Sequence, residues 1–313
     1  MKIALDAMGG DFAPQAAVAG ALLAAKELAG RATIVLIGQE DAVRPLLQAA
    51  GSEGLALEFV PATQVIEMSE HPAKAFQQKQ DSSIAVGYKM LLNSEVDAFC
   101  SAGNTGAMLV GAMFTVKTVA GVMRPAIANF LPKAGHRFGI LLDVGANAEC
   151  KPEMLEQFGE LGALYAQHVL GIPAPQVGLM NIGEEEGKGT SEIQAAHQLL
   201  KVNPHIHFIG NLEGRDLFND KADVIVCDGF TGNIILKMAE SIYDVMEEKK
   251  IQDPFFDMFN YEAIGGSPIL GINDNAIIGH GRSTPRAICN MLMQGFNMAD
   301  SGIVERIKAT FKS

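Results

Sequence analysis

Six short glycine-containing segments, each directly after an apolar run of strand-forming residues, constrain this chain more than any other feature. They are Asp6-Ala-Met-Gly-Gly-Asp11, Ser101-Ala-Gly-Asn-Thr-Gly106, Asp143-Val-Gly-Ala-Asn147, Gly183-Glu-Glu-Glu-Gly-Lys-Gly-Thr190, Asp228-Gly-Phe-Thr-Gly-Asn233 and Gly279-His-Gly-Arg-Ser-Thr284. Most lead into a helical pattern. A strand, a glycine loop and a helix in sequence leave backbone N–H groups free at the start of the helix, where the helix dipole also favours an anion. Several such units side by side in one sheet would line a crevice at the carboxyl ends of the strands. The pattern therefore points to a site that holds phosphate, or a phosphate-bearing substrate, largely with backbone donors.

Between these loops the chain alternates strand and helix. Strands are predicted at residues 2–7, 33–38, 56–60, 98–101, 126–131, 139–144, 177–182, 207–210 and 224–227, with helices at 13–29, 105–119, 152–170 and 191–200. Many of the strands are continuous apolar runs, as expected when both faces of a sheet are covered. The expected fold class is α/β, a doubly wound, mainly parallel sheet. No repeat or linker divides the chain, so residues 1–313 read as a single domain. The composition changes only after residue 247: Asp253-Pro-Phe-Phe-Asp-Met-Phe259 is followed by a glycine-rich loop at 265–271. A helical protrusion over about 247–268 and a final helix over 285–300 are expected.

Charge and composition exclude several classes. A net charge of −12 argues against a nucleic-acid partner, which demands a basic face. No run of eighteen apolar residues suggests a membrane span, and no secretory signal is expected, since the chain enters a strand at Lys2. Cys100, Cys150, Cys227 and Cys289 are scattered without Cys-x-x-Cys spacing, which fits a reduced, cytoplasmic setting.

Lys188 is the foremost candidate for chemistry. A lysine between glycines, just ahead of a helix that Thr190 or Ser191 could cap, suits binding of phosphate or a developing oxyanion. A solvated loop lysine explains the pattern equally well. The segment is not a Walker A loop, because position 189 is Gly rather than Ser or Thr. Asn233 could cap the helix that follows it, or could aim its amide into a crevice; Asn104 and Thr105 present the same choice. Gly9, Gly10, Gly106, Gly187, Gly189 and Gly232 would supply loop amides, joined by Asn147 and Thr231, while His280 ahead of Arg282 and Ser283 could add an anion contact. Asp6, Asp11, Asp143 and Asp228 stand at strand ends, where they could orient the lysine or hold loop amides. Cys100 and Cys227 read as small core residues. His205 and His207 lack an evident third ligand, so neither a metal site nor a cofactor is predicted.

Taken in order, these segments, with Asp81-Ser-Ser and Tyr261-Glu-x-x-Gly-Gly, resemble the PlsX-type phosphate acyltransferases nearly end to end. The resemblance implies an enzyme of bacterial phospholipid synthesis that moves a fatty acyl group from acyl carrier protein to inorganic phosphate. It also implies a fold like that of isocitrate/isopropylmalate dehydrogenases and phosphotransacetylases, a homodimer, and catalysis by Lys188 and Asn233. Because acyl carrier protein is acidic, docking would need a local basic patch; the densest is Lys117, Arg124, Lys133, His136 and Arg137, with Arg124, Lys133 and Arg137 as its centre. Phe255, Phe256 and Phe259 correspond to a hydrophobic tip through which some members associate peripherally with membrane, although a dimer contact or a local core explains them equally well. An acyl-coenzyme A-dependent phosphotransacetylase, a metal-dependent dehydrogenase on the same fold, and a non-catalytic anion-binding or membrane scaffold are the alternatives.

Overall fold

The structure is a computed structural model, which describes residues 1–312 apart from the side chain of Tyr261. Its strands are β1 Lys2–Asp6, β2 Thr33–Gly38, β3 Leu57–Pro61, β4 Ala98–Ser101, β5 Ala126–Lys133, β6 Arg137–Leu142, β7 Gln176–Met180, β8 His207–Leu212, β9 Val224–Val226, β10 Gly266–Leu270 and β11 Ala276–Gly279. The first nine coincide with predicted strands. The last two lie outside the predicted strands: β10 replaces the expected glycine-rich loop and pairs antiparallel with β11, from Gly266 opposite Gly279 to Ile269 opposite Ala276. Glycine and proline weaken a local strand signal. Here tertiary pairing overrides it.

The chain divides into two compact units. The first comprises residues 1–118 and 261–304, the second residues 119–260 and 305–313. In the first unit the strand order is β3-β2-β1-β4-β11-β10, parallel throughout except at β10. Ile3, Ala4 and Leu5 are all fully buried, which is why the run does not alternate. The helix Gln15–Leu28 packs on the helix Pro285–Ser301 through small residues; a Cβ at Gly20 would come within 2.5 Å of Ile288 Cβ.

In the second unit the order is β5-β6-β9-β7-β8, with β5 and β6 an antiparallel hairpin and the other neighbours parallel. Val224, Ile225 and Val226 are fully buried. The helix Pro152–His168 lies against β6, β7 and β9, and Gly162 lets it approach Val224 and Leu142 closely. Each unit is thus the mainly parallel, helix-covered arrangement that the apolar runs predict.

Candidate active site

In the first unit three of the six glycine segments meet. They follow β1, β4 and β11, which are adjacent and parallel, so their loops leave the same ends of neighbouring strands. A Cβ at Gly9 would sit 2.6 Å from both Asp6 Oδ2 and Gly103 N, while Gly10, at φ 103°, lies against the Gly281 carbonyl. The Asp11 amide donates to that same carbonyl at 2.7 Å. Buried Asp6 ties the group together: Ser101 Oγ donates to its Oδ2 at 2.7 Å, and the Met8 amide donates to its Oδ1 at 2.9 Å. Burial raises the Asp6 carboxyl above its ordinary value, against the hydrogen bonds from Ser83, Ser101 and the loop amides.

The other three segments belong to the second unit, after β6, β9 and β7, again parallel neighbours. Asp143 plays the part that Asp6 plays in the first unit. Its carboxylate accepts from the amides of Ile127, Ala146 and Asn147 and from Asn147 Nδ2. Burial raises its pKa, opposed first by the Ala146 hydrogen bond. The next segment docks on this loop through glycines: the Gly229 amide donates to Asn147 O at 2.7 Å, and Gly232 leaves no room for a Cβ beside Asp143 O. The helix Gly229–Glu248 begins there, capped by Asp228, whose Oδ1 accepts from the Thr231 amide at 2.7 Å. Asn233 is therefore not the cap. It stands one turn further along, exposed, with its side chain over Gly145. No described residue engages its amide.

Lys188 stands on the loop after β7, one strand away from the loop after β9, a spacing of about 5 Å between strands. Its aliphatic stem lies on Gly183, and the side chain is exposed. Thr190 caps the following helix Ser191–Val202 by accepting from the Ile193 amide. Two of the three preceding glutamates are committed to other lysines. Glu184 pairs with Lys221 at 2.8 Å and Glu186 with Lys201 at 2.6 Å, and these partners hold both carboxyls below their usual range. Among the described residues nothing pairs with the Lys188 ammonium, and the Gly187 and Gly189 amides donate to no carbonyl.

Several other predicted residues prove to be braces. Asn104 caps the helix Thr105–Gly111, and its Nδ2 donates to the carbonyls of Glu67, Met68 and Glu70, so its side chain has nothing left to donate to a ligand. Thr105 opens that helix and is exposed, while Gly106 packs against Pro72. Asn147 spends its amide on Pro125 O and Asp143, and the Thr231 hydroxyl donates to Asp228 Oδ2. His280 Nδ1 accepts from the Arg282 amide. Cys100 and Cys227 are buried thiols whose pKa burial pushes up, as a core role demands. The residues that sequence reasoning missed are Asn181, His197 and Asn211, which support the Lys188 loop. A lone buried His on the apolar face of a helix, beside Ala196 and Leu200, was the available signal.

A model of the fatty acid synthesis protein family matches residues 1–252. The chain is 42% identical over 326 residues to the phosphate acyltransferase of Dictyoglomus turgidum, covering 98% of this chain and 96% of that one. It is likewise 42% identical over 335 residues to the phosphate acyltransferase of Chlorobaculum parvum, covering 99% and 98%. The chain belongs to the phosphate acyltransferase family. Two solved structures share its fold. The phosphotransacetylase of Streptococcus pyogenes has a TM-score of 0.68 at 17% identity, covering 95% of this chain and 94% of that one. The EutD phosphotransacetylase of Staphylococcus aureus has a TM-score of 0.65 at 17% identity, covering 96% and 94%.

The partner surfaces differ from expectation. Lys133 cannot greet an acidic partner, because it is fully buried, with Nζ donating to Leu217 O at 2.8 Å and its stem crossing Gly139. Arg137 is occupied by Asp223 and by Asp220, so of the three central residues Arg124 alone is exposed, flanked in the predicted patch by exposed Lys117 and His136. Phe255, Phe256 and Phe259 face one another and, through Phe255 and Phe259, Phe218, a small aromatic core rather than a bare tip. No helix among the described residues is long and apolar enough to cross a membrane.

Burial lowers the Lys133 pKa from 10.5 to about 8, against the attraction of Asp223. Between those values the unfolded chain holds the proton and the folded protein releases it, so this group makes stability rise with pH. At pH 7 the buried charge is a penalty. Lys133→Met is expected to stabilise the fold by about 1–3 kcal/mol at pH 7. Urea unfolding should show that gain shrinking between pH 8 and 10.5; a gain independent of pH would disprove the burial effect.

Proposed function

We propose that this chain transfers a fatty acyl group from the thioester of acyl carrier protein to inorganic phosphate, forming acyl phosphate. The observation that carries the reading is the Lys188 ammonium, unpaired among described residues and just ahead of a helix, while Glu184 and Glu186 beside it are paired with Lys221 and Lys201. Phosphate is anionic and nucleophilic near neutral pH, so the protein needs to supply position and charge rather than a nucleophile of its own. A phosphate oxygen attacks the thioester carbonyl carbon, and the carbonyl oxygen gains the negative charge. Collapse of that intermediate breaks the C–S bond and releases the carrier's thiolate. In this reading Lys188, with the Gly187 and Gly189 amides, holds phosphate, and the Asn233 amide donates to the oxyanion.

The test is phosphate-dependent loss of long-chain acyl carrier protein thioester, with acyl phosphate trapped by hydroxylamine as hydroxamate. Consumption of acyl-coenzyme A with the carrier thioester untouched would favour the phosphotransacetylase-like reading. Phosphate binding without turnover would favour a scaffold.

The proposal includes a homodimer. The helix Gly229–Glu248 leaves an apolar stripe in solvent, Phe230, Ile234, Met238, Ile242 and Val245, with Phe230 64% exposed. These residues recur at three- and four-residue spacing on one face, the pattern of a helix that packs on another. Met238→Glu is expected to convert a dimer to a monomer in light scattering; an unchanged mass would remove this stripe as the interface. Peripheral adsorption to membrane, also part of the family resemblance, would require the Phe218–Phe259 cluster to open and present its rings.

A further inference from the structure

The Lys188 loop is held by a chain of hydrogen bonds that begins at two buried polar side chains in an otherwise apolar seam. His197, on the helix Ser191–Val202, and Asn211, on β8, are each about 3% exposed. His197 Nδ1 lies 2.9 Å from Asn211 Oδ1, and Asn211 Nδ2 donates to Glu185 O at 2.9 Å. The second bond fixes which end of the amide is which, so Asn211 Oδ1 must accept and His197 Nδ1 must carry the proton. Glu185 O also accepts the Lys188 amide at 3.1 Å. Asn181 Nδ2 completes the wiring by donating to Lys188 O at 3.1 Å, and Gln194 Nε2 donates to Gly187 O and Gly189 O.

Four loop carbonyls are thus turned toward side-chain donors. A trans peptide points its N–H opposite its carbonyl, so holding Lys188 O on Asn181 directs the Gly189 amide the other way. Gly189 is required there: it has φ 86°, and a Cβ would fall 2.6 Å from Asn181 Oδ1. Buried polar side chains cost stability unless fully partnered, and an apolar pair would fill the seam beside the Phe208 ring equally well. What the polar pair adds is a directional hold on the peptide that also bonds Lys188.

We propose that His197 and Asn211 are positioning residues, which set the Lys188 loop in the geometry that receives phosphate. This rests on the reading of Lys188 as the phosphate-binding lysine. The substitutions are His197→Phe, which removes the donor, His197→Asn, which restores an N–H at the Nδ1 position, and Asn211→Asp, which keeps shape but loses the donor to Glu185. Positioning predicts that His197→Phe and Asn211→Asp lower kcat/KM for phosphate about tenfold or more while the KM for the acyl donor stays within about twofold. His197→Asn should recover to within about threefold of the parent. Hydrogen exchange should quicken at residues 183–189 and stay unchanged in the helix Pro152–His168.

Unchanged phosphate kinetics and loop exchange in Asn211→Asp would overturn the proposal, as would exchange that quickens throughout the unit. The two readings fail separately. If Lys188→Met kept full turnover while Asn211→Asp loosened the loop, the lysine's role would fall and the hold on the loop would stand. Loss of turnover in Lys188→Met with a rigid, fully active Asn211→Asp would sink the positioning role alone.

Discussion

Lys188→Met is expected to lower acyl phosphate formation by about two to three orders of magnitude while leaving the fold intact. Methionine keeps the length of the stem that lies on Gly183 and removes the charge alone. The side chain is exposed and makes no ion pair among the described residues, so its loss costs the fold little. What disappears is a cation held next to free loop amides, in place before phosphate arrives and in need of no reorganisation during reaction. The effect should fall on kcat/KM for phosphate, measured by the hydroxamate assay at saturating acyl donor. Asn233→Ala, removing one oxyanion donor, should cost about 3–4 kcal/mol in the barrier and fall on kcat. Turnover near the parent value in either variant would contradict the role assigned to that residue.

Asp143→Ala should be the most damaging single change to stability. Its carboxylate accepts three backbone amides and one side-chain amide, from Ile127 on β5 and from Ala146 and Asn147 in its own loop. Alanine leaves those donors without a partner in a buried place, at about 1–3 kcal/mol for each one that water cannot reach. Ionising the buried carboxylate itself has a cost, which truncation removes. A net loss of about 3 kcal/mol follows, or roughly 6–12 °C in melting temperature for a unit of this size. Because burial raises the Asp143 pKa, the stability it contributes is complete below its ordinary value of 3.8 and declines as pH rises through the raised value. The difference in unfolding free energy between the parent and Asp143→Ala should therefore narrow as pH increases from 4 toward neutrality. A difference that widened instead would show the carboxylate to be stabilised, not penalised, by its site.

The strand positions were legible because burial on both faces leaves a simple mark, a continuous apolar run. Ile3-Ala4-Leu5 and Val224-Ile225-Val226 are examples with every side chain buried. The loops were legible because close approach of backbones demands glycine: Gly9 against Gly103, Gly229 against Asn147 and Gly232 against Asp143 all lack room for a Cβ. The strand β10 was hidden for the same reason in reverse. Its Gly266 and Pro268 carry turn chemistry locally and become strand only through β11.

Side-chain roles were harder to read. An Asn ahead of a helical run and an Asp five residues earlier are equivalent candidates for a cap until the chain direction at each is known. The structure assigns the cap to Asp228 and frees Asn233. Lys133 looked like surface charge because alternation in the β5–β6 hairpin is masked by its apolar neighbours, and Gly139, which makes room for its stem, lies on the other strand. The sequence could not choose between a tip and a local core for the phenylalanines of residues 255–259, because part of their cover, Phe218, is distant in sequence.

The order of strands, glycine loops and helices, and the presence of a lysine between glycines, belong to the sequence itself, since periodicity and steric demand are local properties of the chain. How the six loops group into threes, which acidic residues clamp them, and which lysines silence Glu184 and Glu186 so that Lys188 stays unpaired were settled only by tertiary structure. Those outcomes depend on contacts between separate elements, from Lys201 with Glu186, 15 positions apart, to Ser101 with Asp6, 95 apart, and no local pattern encodes such a partner.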